Sequence, residues 1–418
     1  MTKKTRTILF LICLFLFFLI APSVIFYSQG YRVDINSKKI TQTGGLFLKV
    51  IPKQVEVFID GKLKKKTDFF FGSALIENLL PKKYKIQIKK EGYYPWEKNL
   101  EIREKEVTEA KNIVLIPENP NFGILTEGIK DFWFSPDERK IILSEDYEQG
   151  WALKLYDLEK NVKSHLIEEK DIFPGGVDLL ELEFSPDSKE ISLEVGMKEQ
   201  IKHFTLEIDK IPPTLAESEE PLPPFENALT YKALGQDIYY LNNLGHLFKN
   251  EEKLTEKPFP VKLETEYALE IFPGFVFLHE GQILYQFNPD SKSFEKFFEP
   301  IKDLKISPDH KKVVYFTDYE IWILFLKEIS NQPQRKAGDK LFLIRLSEQI
   351  KDCFWLNSDY LIFNAANKIK IAEIDDRDRI NVVDVAEVEN PKIFWNKNDK
   401  KLYILSNGNL SQSGKLLP

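Results

Sequence analysis

Three hydrophobic patterns follow one another along the chain. From Ile8 to Tyr27 the residues ILFLICLFLFFLIAPSVIFY carry no charge, and Lys3, Lys4 and Arg6 stand before them. As a helix such a run rises about 30 Å, the thickness of a bilayer's hydrocarbon core. Pro22 is tolerated inside a membrane helix because neighbouring groups re-satisfy the freed backbone. After Gly44 the period drops to two: LFLKVIP, VEVFIDG, KYKIQIKK and KNLEIRE alternate apolar and polar positions, and Val107 to Ile116 adds a further run. This alternation predicts half-buried strands, with Asp60-Gly61 as the hairpin turn between VEVFI and KLKKK.

Beyond Pro117 the chain becomes self-similar. DFWFSPDERKIILSE, LEFSPDSKEISLEV and LKISPDHKKVVYFTD repeat one design, an apolar strand, a Ser-Pro-Asp turn with cations, and a second apolar strand. The turns are Ser135-Pro136-Asp137, Ser185-Pro186-Asp187 and Ser307-Pro308-Asp309. Proline presets φ for the second position of a tight turn and aspartate favours the next, so the motif has a physical reason to form a hairpin. Weaker copies surround Asn357 and Lys397, and two further units, ALTYKALGQDIYYLNNLGHLFKN and YALEIFPGFVFLHEGQILYQFNPDSKSFEKFF, fill the space between Ser185 and Ser307. The predicted turns near 135, 185, 234, 273, 307, 357 and 397 are then roughly 35–50 residues apart, close to the ~40–45 of a four-stranded propeller blade. The last unit lacks an outer strand, and GILTEG, Gly123 to Gly128, is expected to supply it, which would join the two ends of a ring without an open edge. The fold class expected is therefore all-β behind one N-terminal transmembrane helix, with a small sandwich-like domain and a β-propeller of seven blades, six or eight being the alternatives. The expected divisions are a cytoplasmic N-terminus at 1–7, an anchor at 8–27 marked by Ile8, Phe18 and Tyr27, a juxtamembrane linker at 28–44, a β-domain at 45–117 and the propeller at 118–418.

Charge sharpens this division. Residues 1–44 and 45–117 each carry a net +5, leaving −17 on the remainder of a chain whose total is −7. A basic N-terminal part before an acidic body points to separate domains, and the acidic body argues against nucleic acid as a partner, since that requires a concentrated cationic surface. The cations before the span favour a cytoplasmic N-terminus and an extracytoplasmic body. A cleaved signal peptide is the competing reading, but its apolar region is shorter and ends on a small-x-small site, which is missing here. Cys13 and Cys353 are the only cysteines and are too far apart in context to imply a disulfide framework.

Residues 45–117 resemble the PEGA domain, a small β-domain of bacterial surface and envelope proteins. The resemblance is carried by the opening strand ending at Pro52, by Val55 to Ile59 leading into Asp60-Gly61, and by Thr67. Leu79-Leu80-Pro81 before Tyr84-Lys85-Ile86, and Lys90-Glu91-Gly92-Tyr93, complete it. Two departures stand out: Lys53-Gln54-Val55 replaces the usual Glu-Gly-Ala, and Lys83 stands where the family has glycine. The resemblance implies surface display and no catalytic residues. The Ser-Pro-Asp units resemble WD40-like propeller repeats of the kind found in the periplasmic propeller of the Tol system, without the Trp-Asp dipeptide of true WD40 repeats.

Chemistry is sparse. G-x-S-x-G, H-E-x-x-H and the phosphate-binding G-x-x-x-x-G-K-[ST] are all missing, and His165, His203, His246, His279 and His310 fall in different units. Asp375-Asp376-Arg377-Asp378 lacks the glycine and alternation of a calcium loop and reads as a charged hairpin. IPPTLAESEEPLPPF and SNQPQRKAGDK read as long connections. Lys62, Lys64, Lys65, Lys66, Lys82 and Lys83 form a solvated face of the β-domain, or a contact surface for anionic lipid or wall polymer. The function expected is a membrane-anchored binding scaffold presenting a propeller to envelope protein or cell-wall glycan, with no cofactor and no metal. The alternative is a carbohydrate-active or other hydrolytic propeller enzyme, which would need a convergent pair of carboxylates.

Overall fold

The computed structural model describes residues 3–34, 38–146, 150–173, 175–197, 200–218, 225–262 and 264–417. Helix α1 (Lys3–Ser28) is about 39 Å long at 1.5 Å per residue and buries none of its residues against the rest of the chain. Its length and composition suit a membrane crossing, and equally a signal sequence. A short hairpin, β1 (Tyr31–Asp34) and β2 (Lys39–Gln42), follows it. The guanidinium of Arg32 donates back to the Tyr27 carbonyl at 2.7 Å, lies over the Tyr27 ring, and donates forward to Asn78 Oδ1 at 2.9 Å.

The first β-unit is a sandwich of two sheets. One has the order β6 (Ser73–Leu79), β3 (Gly44–Ile51), β9 (Val107–Val114), with β3 and β9 parallel. The other runs β5 (Lys62–Lys66), β4 (Glu56–Ile59), β7 (Lys82–Lys89), β8 (Trp96–Ile102). Period-two burial is clearest in β7 and β8, whose inward residues Tyr84, Ile86, Ile88, Trp96, Leu100 and Ile102 join one core with Leu46, Leu48 and Val50. Asp60 and Gly61 both take positive φ, +48° and +74°, as a two-residue hairpin turn demands.

The remaining strands form seven four-stranded sheets among the described residues. Sheets 1 to 6 span 129–168, 178–218, 228–253, 267–298, 303–345 and 350–387, each an antiparallel meander in chain order. Sheet 7 takes three strands from 392–413 and its outer strand, β10 (Phe122–Glu127), from the start of the unit, paired antiparallel to Asn409–Ser413. This is the pairing that the GILTEG segment led us to expect. Six core clusters bridge the pairs 1–2, 3–4, 4–5, 5–6, 6–7 and 7–1. Between sheets 2 and 3 no such cluster forms among the described residues. The architecture is propeller-like.

The Ser-Pro-Asp turns owe their shape to side chains. Ser135 Oγ donates to Asp137 Oδ1 at 2.6 Å and accepts from the Lys140 N–H at 3.0 Å, while the Arg139 N–H donates to the same Asp137 oxygen at 3.1 Å. Ser307 and Asp309 repeat the pattern with Lys311 and Lys312, as do Ser185 and Asp187 with Lys189 and Glu190. Each turn ends on a residue in the left-handed region, Glu138, Ser188 or His310. Burial disfavours the charged form of Asp137 and Asp309, but the serine and backbone donors outweigh it and hold both carboxyls below their ordinary value. At Asp187 the Ser185 hydroxyl is the leading cause of the same downward shift. A depressed carboxyl contributes stability above its unfolded pKa of about 3.9, and that contribution is lost as pH falls through the folded value. Replacing Asp137, Asp187 and Asp309 together by asparagine should therefore flatten the acid limb of the denaturation midpoint, measured from pH 5 down to pH 2. An unchanged acid limb would show that these turns do not couple to stability.

One local expectation is corrected, and one strand lies outside the alternating runs. IPPTLAESEEPLPPF is not simply a connection, because Thr214–Ser218 is the outer strand of sheet 2, paired with His203 to Glu207; residues 219–224 lie outside the described ones. The strand β6 lay outside the four period-two runs, since its inward Ala74, Ile76 and Leu79 are interrupted by adjacent polar residues after Asn78 takes positive φ.

Candidate functional site at the junction of the two β-units

The two β-units are joined along one edge of the sandwich, where β8 and β9 lie. Lys98 lies on the inward face of β8, with Trp96 and Leu100, and its side chain is fully buried. Its ammonium donates to Glu373 Oε1 at 2.7 Å and to the carbonyls of Asp375 at 2.6 Å and Arg379 at 2.7 Å, so all three of its donors are used. Glu373 Oε2 accepts from Trp96 Nε1 at 2.7 Å, and its other oxygen accepts from the backbone and side chain of Asn381. Burial pushes the Glu373 carboxyl up, against the pull of Lys98 and Trp96. Around this pair, Asp378 accepts from the Asn99 backbone and side chain, Arg377 donates to the Glu109 carbonyl, and the Tyr94 hydroxyl donates to the Asp384 carbonyl. Val114 and Ile116 continue the core of sheets 6 and 7.

The acidic run 375–378 is thus a docking loop between two strands of sheet 6. Asp375 holds Arg377 through both carboxylate oxygens, Asp376 pairs with Arg335, and Asp378 holds Asn99. Among the described residues no group of three or more His, Cys, Asp or Glu side chains is placed to hold a metal ion. The segment from Ser330, inside sheet 5, also reaches the sandwich: the Gln332 side chain accepts from the Glu109 N–H and donates to the Val107 carbonyl.

A polar cavity of about 270 Å³ lies beneath these contacts, lined among others by Asn112, Asp309, Lys312, Arg335, Asp359 and Glu373. Lys312 is buried and bonds Asp309 at 3.0 Å, with Asp359 at 4.0 Å. Burial raises the Asp359 carboxyl, while the Ser307 hydroxyl and Lys312 hold Asp309 low, so the two carboxyls beside this ammonium are shifted in opposite directions. Such a site can bind a small polar ligand. The third Ser-Pro-Asp turn therefore lines this cavity, whereas the first is bonded to sheet 7 through Asn396 and Asn398 and to sheet 2 through Ser188.

The other residues singled out in the sequence lie elsewhere. Lys62, Lys64, Lys65 and Lys66 are exposed on β5, the edge of the sandwich away from the junction, and Lys82 and Lys83 are exposed at the start of β7. Ile8, Phe18 and Tyr27 are exposed along α1. Cys353 is fully buried, and burial pushes its thiol up to about 12, which leaves it unreactive. The junction residues Trp96, Lys98 and Glu373 were not visible as a site. The one available sign was a lysine at an inward position of an alternating strand, Lys98 between Trp96 and Leu100.

No family model matches the chain, and no curated protein matches its sequence. Among solved structures it is similar to the β-propeller domain of Cps50 (Swd1) from Myceliophteria thermophila, at 12% identity and a TM-score of 0.38 over 71% of this chain and 99% of that one. It is similar to an oligogalacturonate lyase in complex with manganese, at 12% identity and a TM-score of 0.39 over 72% and 97% of the two chains. TolB from Acinetobacter baumannii is similar at 15% identity and a TM-score of 0.31, over 73% of this chain and 61% of that one. These likenesses are remote.

Proposed function

We propose that this chain is a membrane-anchored, extracytoplasmic binding scaffold in which a PEGA-like sandwich fixes a seven-bladed propeller at a set orientation to an envelope membrane. The observation that carries this reading is the junction. A stalk on a flexible tether needs no buried ion pair, whereas Lys98–Glu373, Trp96 and the Tyr94 contact join sandwich and sheets into one body. A rigid mount suits a platform whose loops must face a partner in a defined direction. Protein or glycan of the envelope is the partner class, and the acidic charge of the propeller part argues against nucleic acid. Protease added to intact protoplasts should digest residues beyond α1, and alkaline carbonate should leave the chain in the membrane fraction. A protected body, or a chain released by carbonate, would overturn the topology. Pull-down with the body against cell-wall material and membrane extract tests the platform, and retention of nothing above background counts against it.

A second reading, hydrolysis, is favoured by one observation, the Asp309–Lys312–Asp359 group in the junction cavity. If that group is catalytic, Asp359→Asn abolishes turnover of a glycan substrate without changing the denaturation midpoint at neutral pH. Equal turnover by the variant would exclude it.

A further inference from the structure

The turn joining β5 to β6 displays three aromatic rings to solvent. Phe69, Phe70 and Phe71 are 63, 73 and 75% exposed. Their exposure is built, not incidental. Both oxygens of Asp68 are engaged: one accepts from the N–H groups of Phe70 and Phe71 at 2.9 and 2.6 Å, the other from the N–H and hydroxyl of Ser73 at 2.7 and 2.5 Å. Gly72 closes the turn at a φ of +66°, and a Cβ there would stand 2.4 Å from the Val50 carbonyl oxygen. A network of this kind holds the loop in one shape with its rings outward.

The surroundings of the turn are of two kinds. Leu63 and Leu75 are exposed beside it, and every residue of β5, KLKKK, is exposed. Lys65 donates to the Leu75 carbonyl and Lys66 pairs with Glu56, whereas Lys62 and Lys64 have no ion pair among the described residues. Apolar rings flanked by lysines match the boundary of an anionic bilayer, where rings enter the acyl region and ammonium groups stay among phosphates.

Position selects the bilayer over a soluble partner. The edge formed by β5 and β6 is opposite the one formed by β8 and β9, which is occupied by the propeller part. The hairpin after α1 meets the sandwich at the ends of both edges, Arg32 bonding Asn78 near the end of β6 and Thr41 bonding Glu104 between β8 and β9. The aromatic turn lies at the other end of β6, roughly 17 Å away at ~3.3 Å per residue. We propose that Phe69, Phe70 and Phe71, with the β5 lysines, form a second contact with the membrane, inserting into the anionic lipid surface and holding the sandwich edge-on against it. This rests on the anchor reading of α1, and turns a single tether into a two-point mount.

The test uses the full chain with Cys13→Ser and Phe70→Cys, nitroxide-labelled, in vesicles of phosphatidylcholine alone or with 30% phosphatidylglycerol. A label at the solvent-exposed Ile211→Cys is the aqueous reference. In the anionic vesicles the label at position 70 should favour oxygen over an aqueous nickel chelate several-fold relative to position 211. Replacing Lys62, Lys64, Lys65 and Lys66 by glutamine, or adding 0.5 M salt, should reduce that preference. Equal chelate access at 70 and 211 in both vesicle types overturns the proposal, as does dipolar broadening between labels on neighbouring copies, which would mark self-association through the turn. Flotation at pH 11 reports α1 separately. Retention with an accessible label at 70 keeps the anchor and rejects the turn; release with a shielded label at neutral pH does the reverse.

Discussion

Replacing Lys98 by methionine should destabilise the body by roughly 3–5 kcal/mol, the cost of leaving a buried carboxylate without its partner. The side chain is fully buried, and its three donors serve Glu373 and the Asp375 and Arg379 carbonyls. The deficit should depend on pH in a defined direction. Burial already raises the Glu373 carboxyl, and losing the adjacent ammonium raises it further. An acid with a raised folded pKa is stabilising below its unfolded value of about 4.3 and loses that contribution as pH rises through the folded value. The variant should therefore be closest to the parent near pH 4 and furthest from it at pH 8. Lys98→Met with Glu373→Gln, which removes the orphaned charge, should be more stable than the single variant at pH 8. Urea unfolding followed by tryptophan fluorescence measures all three, and a pH-independent deficit would show that Glu373 is not ionised in the folded protein.

Proline at Ser411 and, separately, at Gln412 should each lower stability by roughly 1–3 kcal/mol, the cost of an unmade buried backbone hydrogen bond. Successive residues of a strand direct their N–H groups to opposite neighbours, and Asn409–Ser413 is paired on one side with β10 and on the other with Lys401–Ser406. Both prolines are therefore costly only while β10 is in place. Were the segment an edge strand in solution, one of the two would be nearly silent, because edge strands admit proline on their free side. Denaturant midpoints of the pair thus read directly whether the first strand of the unit completes the last sheet.

The repeats were legible because their cause is local. Serine, proline and aspartate at fixed offsets make the turn out of their own atoms, so Ser135, Ser185 and Ser307 appear in the sequence as they do in the structure. The weaker units were placed by spacing, and the expected turns near 234, 273, 357 and 397 coincide with the Gly235, Gly274, Asp359 and Lys400 hairpins. Thr214–Ser218 escaped because an outer strand is exposed on most of its surface and loses the alternation that marks an inner one.

The junction was illegible for a different reason. Lys98 and Glu373 lie 275 positions apart, and neither names the other; only burial converts them into a pair. The same holds for Asp375 to Asp378, whose composition indicates a charged hairpin and whose partners, Asn99 and Arg335, lie on other elements. Phe69, Phe70 and Phe71 are three consecutive rings that one strand cannot bury together, but which edge they occupy depends on where the propeller part docks. By itself the sequence determined the apolar helix, the alternating strands and the repeated hairpins, because hydrophobic period and turn chemistry act over a few residues. The tertiary structure alone decided the mounting of one β-unit on the other, the cavity beneath it and the free basic edge, because these depend on desolvation and contact between residues that the chain keeps far apart.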